Sequence, residues 1–490
     1  MQIRPTYWWG LYLLWGGMLT VLLCEGARSR DGGMKAPEEL LRATRLPPET
    51  VWMGIYLAGQ KIGFIQSELE PLPEGGYEIS EISRMQAAML GVMQRMRLQM
   101  TAVTDSALAL VSFDGEFATE QYSAIFKGRH YQRILKIELT TGGRTTEKVF
   151  PAPEPLYLSQ AVKPLLQGGR LHSGDSLILS GFDPISLQMQ DLVVVGADNQ
   201  THLLFGQEVR ARKLITRMEN LESVLYVDDH GEVIAEFGPM GLVMRRESAE
   251  TALAMSDETA AVDFLNLYAV KPQGAFNSPR QCKLAAYKIR GFDVSVLPEV
   301  SGRQCLQEDS SLIVVYIPNP EVSASKFDSL WLNPAPLIES NAPEIIRAAQ
   351  DAVKGGKTRL DSLGLLSEWV FKTVNKKPSA GLPSALAVLQ QKEGDCNEHS
   401  ALFTALARSL GIPARIQMGL VYQNDRFYYH AWPTARVDSQ WFEFEPTFGQ
   451  RLADAARIAL TTGDLSAAIK IAPAVGNIEI EILAEKANDK

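Results

Sequence analysis

A thiol, an imidazole and a carboxylate follow one another in the chain. Cys396 lies in Gly394-Asp395-Cys396-Asn397-Glu398-His399-Ser400, His430 in Tyr429-His430-Ala431-Trp432, and Glu445 in Trp441-Phe442-Glu443-Phe444-Glu445-Pro446-Thr447. A thiolate attacks a carbonyl carbon, an imidazole moves the proton and an acid orients the imidazole, so the set holds the parts of covalent acyl transfer. His399, three residues after Cys396, falls over the adjacent helical turn and is expected to be structural rather than the base. A zinc reading that gathers Cys396, His399, His430 and Glu445 lacks the paired Cys-x-x-Cys or His-x-x-x-His spacing of closed sites, so no metal or other cofactor is expected. His130, His172, His202 and His230 stand singly and are read as ordinary surface or core residues.

These side chains need a helix and a hairpin to hold them. Leu402, Ala405, Leu406 and Leu410 form one apolar stripe at helical spacing, and Gly411 with Pro413 stops the helix. Cys396 therefore falls at a helix N-terminus. Free N–H groups and the helix dipole there favour a thiolate, drawing the thiol below its free value of about 8.5, and are placed to receive an oxyanion. Asp395 and Glu398 fit as dipole-matching acids of the same helix start. Downstream, Ala414 to Tyr422 reads as a strand, and Phe427 to Arg436 returns with Tyr428, His430, Trp432 and Thr434 on one face. A hairpin centred between Val437 and Asp438 sets His430 opposite Glu445, with Cβ atoms about 5 Å apart. A slip of one residue would turn Glu445 to the other face. Trp432 and Trp441 flank this hairpin, where they are expected to line an acyl-binding groove and exclude water, the alternative being burial in the core.

The run Gly394-Asp395-Cys396, the helix end Arg408-Ser409-Leu410-Gly411-Ile412-Pro413-Ala414-Arg415, the His430-Ala431-Trp432 step and Trp441 before an acidic-Pro-Thr step resemble the bacterial transglutaminase-like superfamily. The resemblance covers residues 340 to 450. It implies a papain-like α+β fold, with Cys396 as nucleophile, His430 as general base and Glu445 as orienting acid. The family's third member is usually aspartate. Glutamate adds a methylene, which still reaches an imidazole and serves in other triads.

Ahead of this segment the text is mostly β. Val51 to Leu57, a turn at Ala58-Gly59-Gln60 and Lys61 to Ile65 have hairpin grammar, which recurs through Leu108 to Phe117, Ile134 to Thr140 and Leu203 to Leu214. Residues 48–250 are expected to form a mostly antiparallel β domain, a curved sheet or half-barrel with a helical piece near Ser159 to Leu166. Ser248 to Tyr268 reads as a connecting helix. Residues 270–335 read as a small β module holding Cys282 and Cys305. These form a plausible disulfide if the body lies outside the cytoplasm, the alternative being two reduced core thiols. Residues 451–490 form a tail, helical over Leu452 to Ala467 and alternating over Ile478 to Leu483.

With 490 residues the chain exceeds what one core usually serves. A net charge of -9 and the lack of a basic stripe interleaved with aromatics argue against nucleic acid as a partner. Tyr7 to Cys24 are apolar or small almost throughout and follow Arg4, so residues 1–30 read as a signal peptide or membrane anchor. Fold class is α+β: an N-terminal antiparallel β domain, a small β module and a C-terminal transglutaminase-like domain. The expected function is that of an exported thiol enzyme, periplasmic or membrane-anchored, acting on a protein or peptide substrate. The rival readings are a peptide-binding adaptor without turnover and a lipid or lipoprotein carrier working through the β domain.

Overall fold

The computed structural model describes residues 34–35, 45–89, 91–168, 171–218, 221–255, 262–298, 303–307, 311–317, 329–379, 384–464, 467, 471 and 474–487. The leader expected over residues 1–30 lies outside them. Among the described residues no helix is long and apolar enough to cross a membrane.

The N-terminal half is mostly strand. Its strands are β1 (Met34–Lys35), β2 (Glu49–Leu57), β3 (Gln60–Pro71), β4 (Tyr77–Met89), β5 (Val92–Thr104), β6 (Leu110–Thr119), β7 (Ser123–Tyr131), β8 (Ile134–Thr141) and β9 (Arg144–Pro151). They continue through β10 (Ser176–Asp183), β11 (Gln188–Leu204), β12 (Gln207–Met218), β13 (Leu221–Val227), β14 (Val233–Phe237) and β15 (Leu242–Arg246). All belong to one sheet of 15 strands, antiparallel apart from the short β1–β10 pair. Alternation drives the pairing: along β7, Ala124 and Phe126 are buried while Ile125 and Lys127 face out. The sheet curls until Phe182 of β10 packs 6.0 Å from Phe113 of β6 and 6.0 Å from Phe150 of β9. Helix α1 (Val162–Gly168) fills the concave side with Leu165 and Leu166, beside Leu177, Leu179 and Leu214.

The stretch read as one connecting helix is instead two short ones, α2 (Ala249–Leu253) and α3 (Phe264–Leu267), begun by Ser248 and Asp263, whose side chains accept from Thr251 N and Asn266 N. Next, β16 (Cys282–Arg290), β17 (Gln304–Leu306) and β18 (Ser311–Val315) form a second sheet, joined by the last strand, β25 (Glu479–Ala487), in the order β17-β18-β16-β25. This topology overturns the expected disulfide: Cys282 is a buried free thiol and Cys305 an exposed one. Cys305 pairs with Ile313, which pairs with Ala286, so two strand spacings and four residues of rise hold the Cα atoms of Cys282 and Cys305 roughly 16 Å apart, against a limit of about 7 Å between bridged Cα atoms.

The C-terminal part packs helices on a third sheet. Helices α4 (Pro343–Ala352), α5 (Arg359–Thr373) and α6 (Ala385–Gln391) surround α7 (Cys396–Ser409). Helix α7 lies on the sheet of β21 (Ala414–Gln423), β22 (Arg426–Val437), β23 (Gln440–Glu443) and β24 (Arg457–Gly463), ordered β23-β22-β21-β24. A two-strand ladder of β19 (Asn375–Lys376) and β20 (Glu393–Gly394) leads into α7. Strand β24 replaces the helix expected over Leu452 to Ala467. The alanines suggested a helix, but Ile458 and the Thr461-Thr462 pair complete the open edge of β21, and that long-range pairing overrides local preference.

The sheet and the C-terminal part touch directly. Tyr122 Oη donates to the Glu393 carbonyl at 2.7 Å, Gln391 Nε2 to the Gln121 carbonyl at 2.7 Å, and Thr141 Oγ1 to buried Glu339 at 3.1 Å. The first two contacts sit at the segment that delivers Cys396.

Candidate active site

Cys396 is the first residue of α7, and Glu398 folds back so that its Oε2 accepts the Asp395 N–H at 2.8 Å. Gly394 makes room for that return: a Cβ at this position would lie 2.2 Å from Glu398 Cγ. His399 donates from Nδ1 to the Asp395 carbonyl at 2.7 Å and so ties down the helix start, while burial lowers its pKa.

His430 sits on β22, and its Nε2 is 2.9 Å from Glu445 Oε2. The register that brings them together differs from the expected one. Val437 pairs with Gln440 and Thr434 with Glu443, about a turn at Asp438-Ser439 that is centred one residue later. The pairing therefore shifts by two residues, an even number, and Glu445 stays on the face of His430. Glu445 lies just beyond β23, bridged to Gln450, with no exposed surface.

Three groups fix its carboxylate. Oε2 also takes Arg457 Nη1 at 2.6 Å, and Oε1 takes the Thr447 N–H at 3.1 Å. Burial alone would raise this carboxyl, but His430 and Arg457 hold it well below the usual carboxylate range. Arg457 is itself buried and reaches Asp454 Oδ2 at 3.1 Å, and Asp454 pairs with Arg280 at 2.9 Å. Arg303, from just ahead of β17, donates to the Asp454 carbonyl at 2.5 Å and pairs with Glu443 at 2.7 Å. A buried chain of alternating charge thus backs the imidazole. On its open side His430 stacks on Phe448, with rings 5.0 Å apart and 5° from parallel.

Cys396 and His430 line one cavity of about 250 Å³. The sulfur takes the backbone N–H of Ala431, the residue after His430. Loss of water around it, and next the Asp395 carboxylate, push the thiol well above its ordinary value, with the Ala431 N–H acting the other way. Burial and the Asp395 carboxylate thus act against the lowering expected from the helix terminus. The Trp expectation is corrected. Trp432 has no exposed surface and Trp441 2%, and neither lines the cavity. Trp432 donates from Nε1 to Glu443 at 2.7 Å, because β22 runs from the cavity into the core directly after Ala431.

Arg457, Asp454, Arg303 and Phe448 were not found by sequence reasoning. Only Phe448, close after Glu445, carried a local signal.

Residues 346–446 match the family model of the transglutaminase-like superfamily. A comparison with curated proteins finds no match. Among solved structures, a Cytophaga hutchinsonii protein described as a candidate cysteine protease aligns at 16% identity and a TM-score of 0.29, over 43% of this chain and 88% of that one. A β-barrel-like protein of a domain of unknown function from Brucella abortus aligns at 12% identity and a TM-score of 0.32, over 42% of this chain and 96% of that one. With its thiol at the start of α7 and its imidazole on the adjoining sheet, the segment 346–446 is a domain of the transglutaminase-like superfamily.

Proposed function

We propose that the protein is an exported thiol enzyme that opens a carboxamide or peptide bond through an acyl-thioester on Cys396, in a papain-like arrangement of helix and sheet. The observation that carries this reading is the 2.9 Å contact between His430 Nε2 and the ionised Glu445, on the strand whose Ala431 N–H reaches the Cys396 sulfur. Glu445 accepts from Nε2–H and so leaves Nδ1 as the lone-pair nitrogen. His430 takes the Cys396 proton as the sulfur attacks the carbonyl carbon. The first-turn amides of α7 receive the oxyanion. The C–N bond then breaks, His430 returns the proton to the leaving amine, and the acyl group stays on sulfur. Water gives an acid, as in a peptidase or amidase. An amine gives a new amide, as in a transamidase.

The test is iodoacetamide labelling of the native full chain near neutral pH. Rapid alkylation of Cys396 that disappears in His430→Ala supports the enzyme. An acyl adduct on Cys396, seen by intact mass after exposure to a peptide mixture, supports it further. A second reading draws on the raised thiol: an adaptor that holds peptide without turning it over. Alkylation of Cys396 as slow as that of a free thiol would favour the adaptor and sink the enzyme.

A further inference from the structure

The cavity in front of Cys396 is built from two distant parts of the chain. His430, Ala431 and Phe448 come from the transglutaminase-like part, whereas Met89 ends β4 of the curled sheet and Leu265 lies on α3. Both contributions from ahead of residue 340 are apolar, and both side chains are half-buried. They are held in place by a bonded series. Ala88 N–H donates to the Val262 carbonyl at 3.0 Å, and Gly91 N–H to Asp263 Oδ2 at 2.8 Å. Asp263 Oδ1 caps α3 through the Asn266 N–H at 3.1 Å, and Tyr428 Oη donates to Asn266 Oδ1 at 3.3 Å. Tyr428 stands two residues before His430. The β4–β5 hairpin, α3 and the imidazole strand are therefore tied together, and the two apolar side chains line the same cavity as the thiol and the imidazole.

The geometry points to Met89 and Leu265 as an apolar specificity subsite for the substrate side chain next to the reacting carbonyl, so that the N-terminal sheet selects what the thiol attacks. Among the described residues the charged side chains lining the cavity are Lys376 and Asp395, and both come from the transglutaminase-like segment. An aliphatic or aromatic side chain thus meets Met89 and Leu265 without stranding a charge, whereas a carboxylate would lose water there with no partner from either. The inference rests on the reading of Cys396 as nucleophile.

Its test separates the two claims by using two kinds of reagent on the full-length protein. Iodoacetamide reports the thiol alone, and a pair of peptidyl chloromethyl ketones differing only in Phe or Glu beside the reacting carbon reports the subsite. The wild type should prefer the Phe probe by about tenfold or more. Met89→Gln and, on a separate element, Leu265→Gln should each shrink that ratio about tenfold while the iodoacetamide rate, with no charge added to the cavity, stays within about twofold. Normal iodoacetamide labelling with an unchanged Phe-to-Glu ratio in both variants would overturn the subsite and leave the thiol reading standing. Failure of iodoacetamide to label Cys396 in the wild type would overturn both.

Discussion

Replacing Glu445 by aspartate, the residue usual at this place in transglutaminase-like proteins, should slow the thiol. Its neighbours are set for the longer side chain. Glu445 reaches His430 at 2.9 Å, Arg457 at 2.6 Å and the Thr447 N–H at 3.1 Å, all buried. Removing one methylene draws the carboxylate back by about 1.5 Å, which stretches the imidazole contact to about 4.4 Å, beyond hydrogen bonding. A hydrogen bond to a charged group contributes about 1.5–3 kcal/mol. At 1.36 kcal/mol per decade, its loss lowers the rate of Cys396 alkylation at neutral pH by about 10- to 150-fold. The assay is the second-order rate with iodoacetamide, read by peptide mass spectrometry, in wild type, Glu445→Asp and Glu445→Gln. Gln keeps the length but not the charge, and should be slow as well. An aspartate variant as fast as wild type would refute the argument that Arg457 and Thr447 hold a glutamate-length acid.

Three further outcomes follow from the same contacts. Asp395→Asn keeps a good helix cap but removes an acid that pushes the Cys396 thiol up, so the midpoint of the alkylation pH profile should move to lower pH. Glu398, buried, is raised from 4.5 to about 7, so between those values the fold retains a proton that the unfolded chain releases. Stability from this group is therefore full below pH 4.5 and falls by about 3 kcal/mol as pH rises through 7, a loss that Glu398→Gln should abolish in thermal melts across that window. Arg303→Leu strands the buried Glu443 carboxylate and should cost about 3–5 kcal/mol, seen as a lower unfolding midpoint.

Much of the site could be read from the chain because its signals are local. The stripe Leu402, Ala405, Leu406 with the Gly411-Pro413 stop fixes where a helix begins, and period-two alternation fixes which side chains share a strand face. The hairpin centre was misjudged by one residue because Asp438 takes a positive φ of 55°, placing the two-residue turn at Asp438-Ser439, yet the face survived because the shift in pairing is even. The backing charges were out of reach. Arg303 and Arg280 approach from a different sheet, and no spacing rule links them to Glu443 or Asp454. The fate of Trp432 was equally hidden, since sharing a face with His430 does not tell where along β22 the cavity ends.

Strand β24 shows where the working unit stops. The family match ends at residue 446, yet the cation that neutralises Glu445 is Arg457, eleven positions later, and β25 carries the chain back to β16 beside Arg280. A transplant of 346–446 into another chain would bring its thiol, imidazole and acid but no counter-charge for the acid. The signature is therefore portable only as a pattern, and its chemistry belongs to a larger piece of protein.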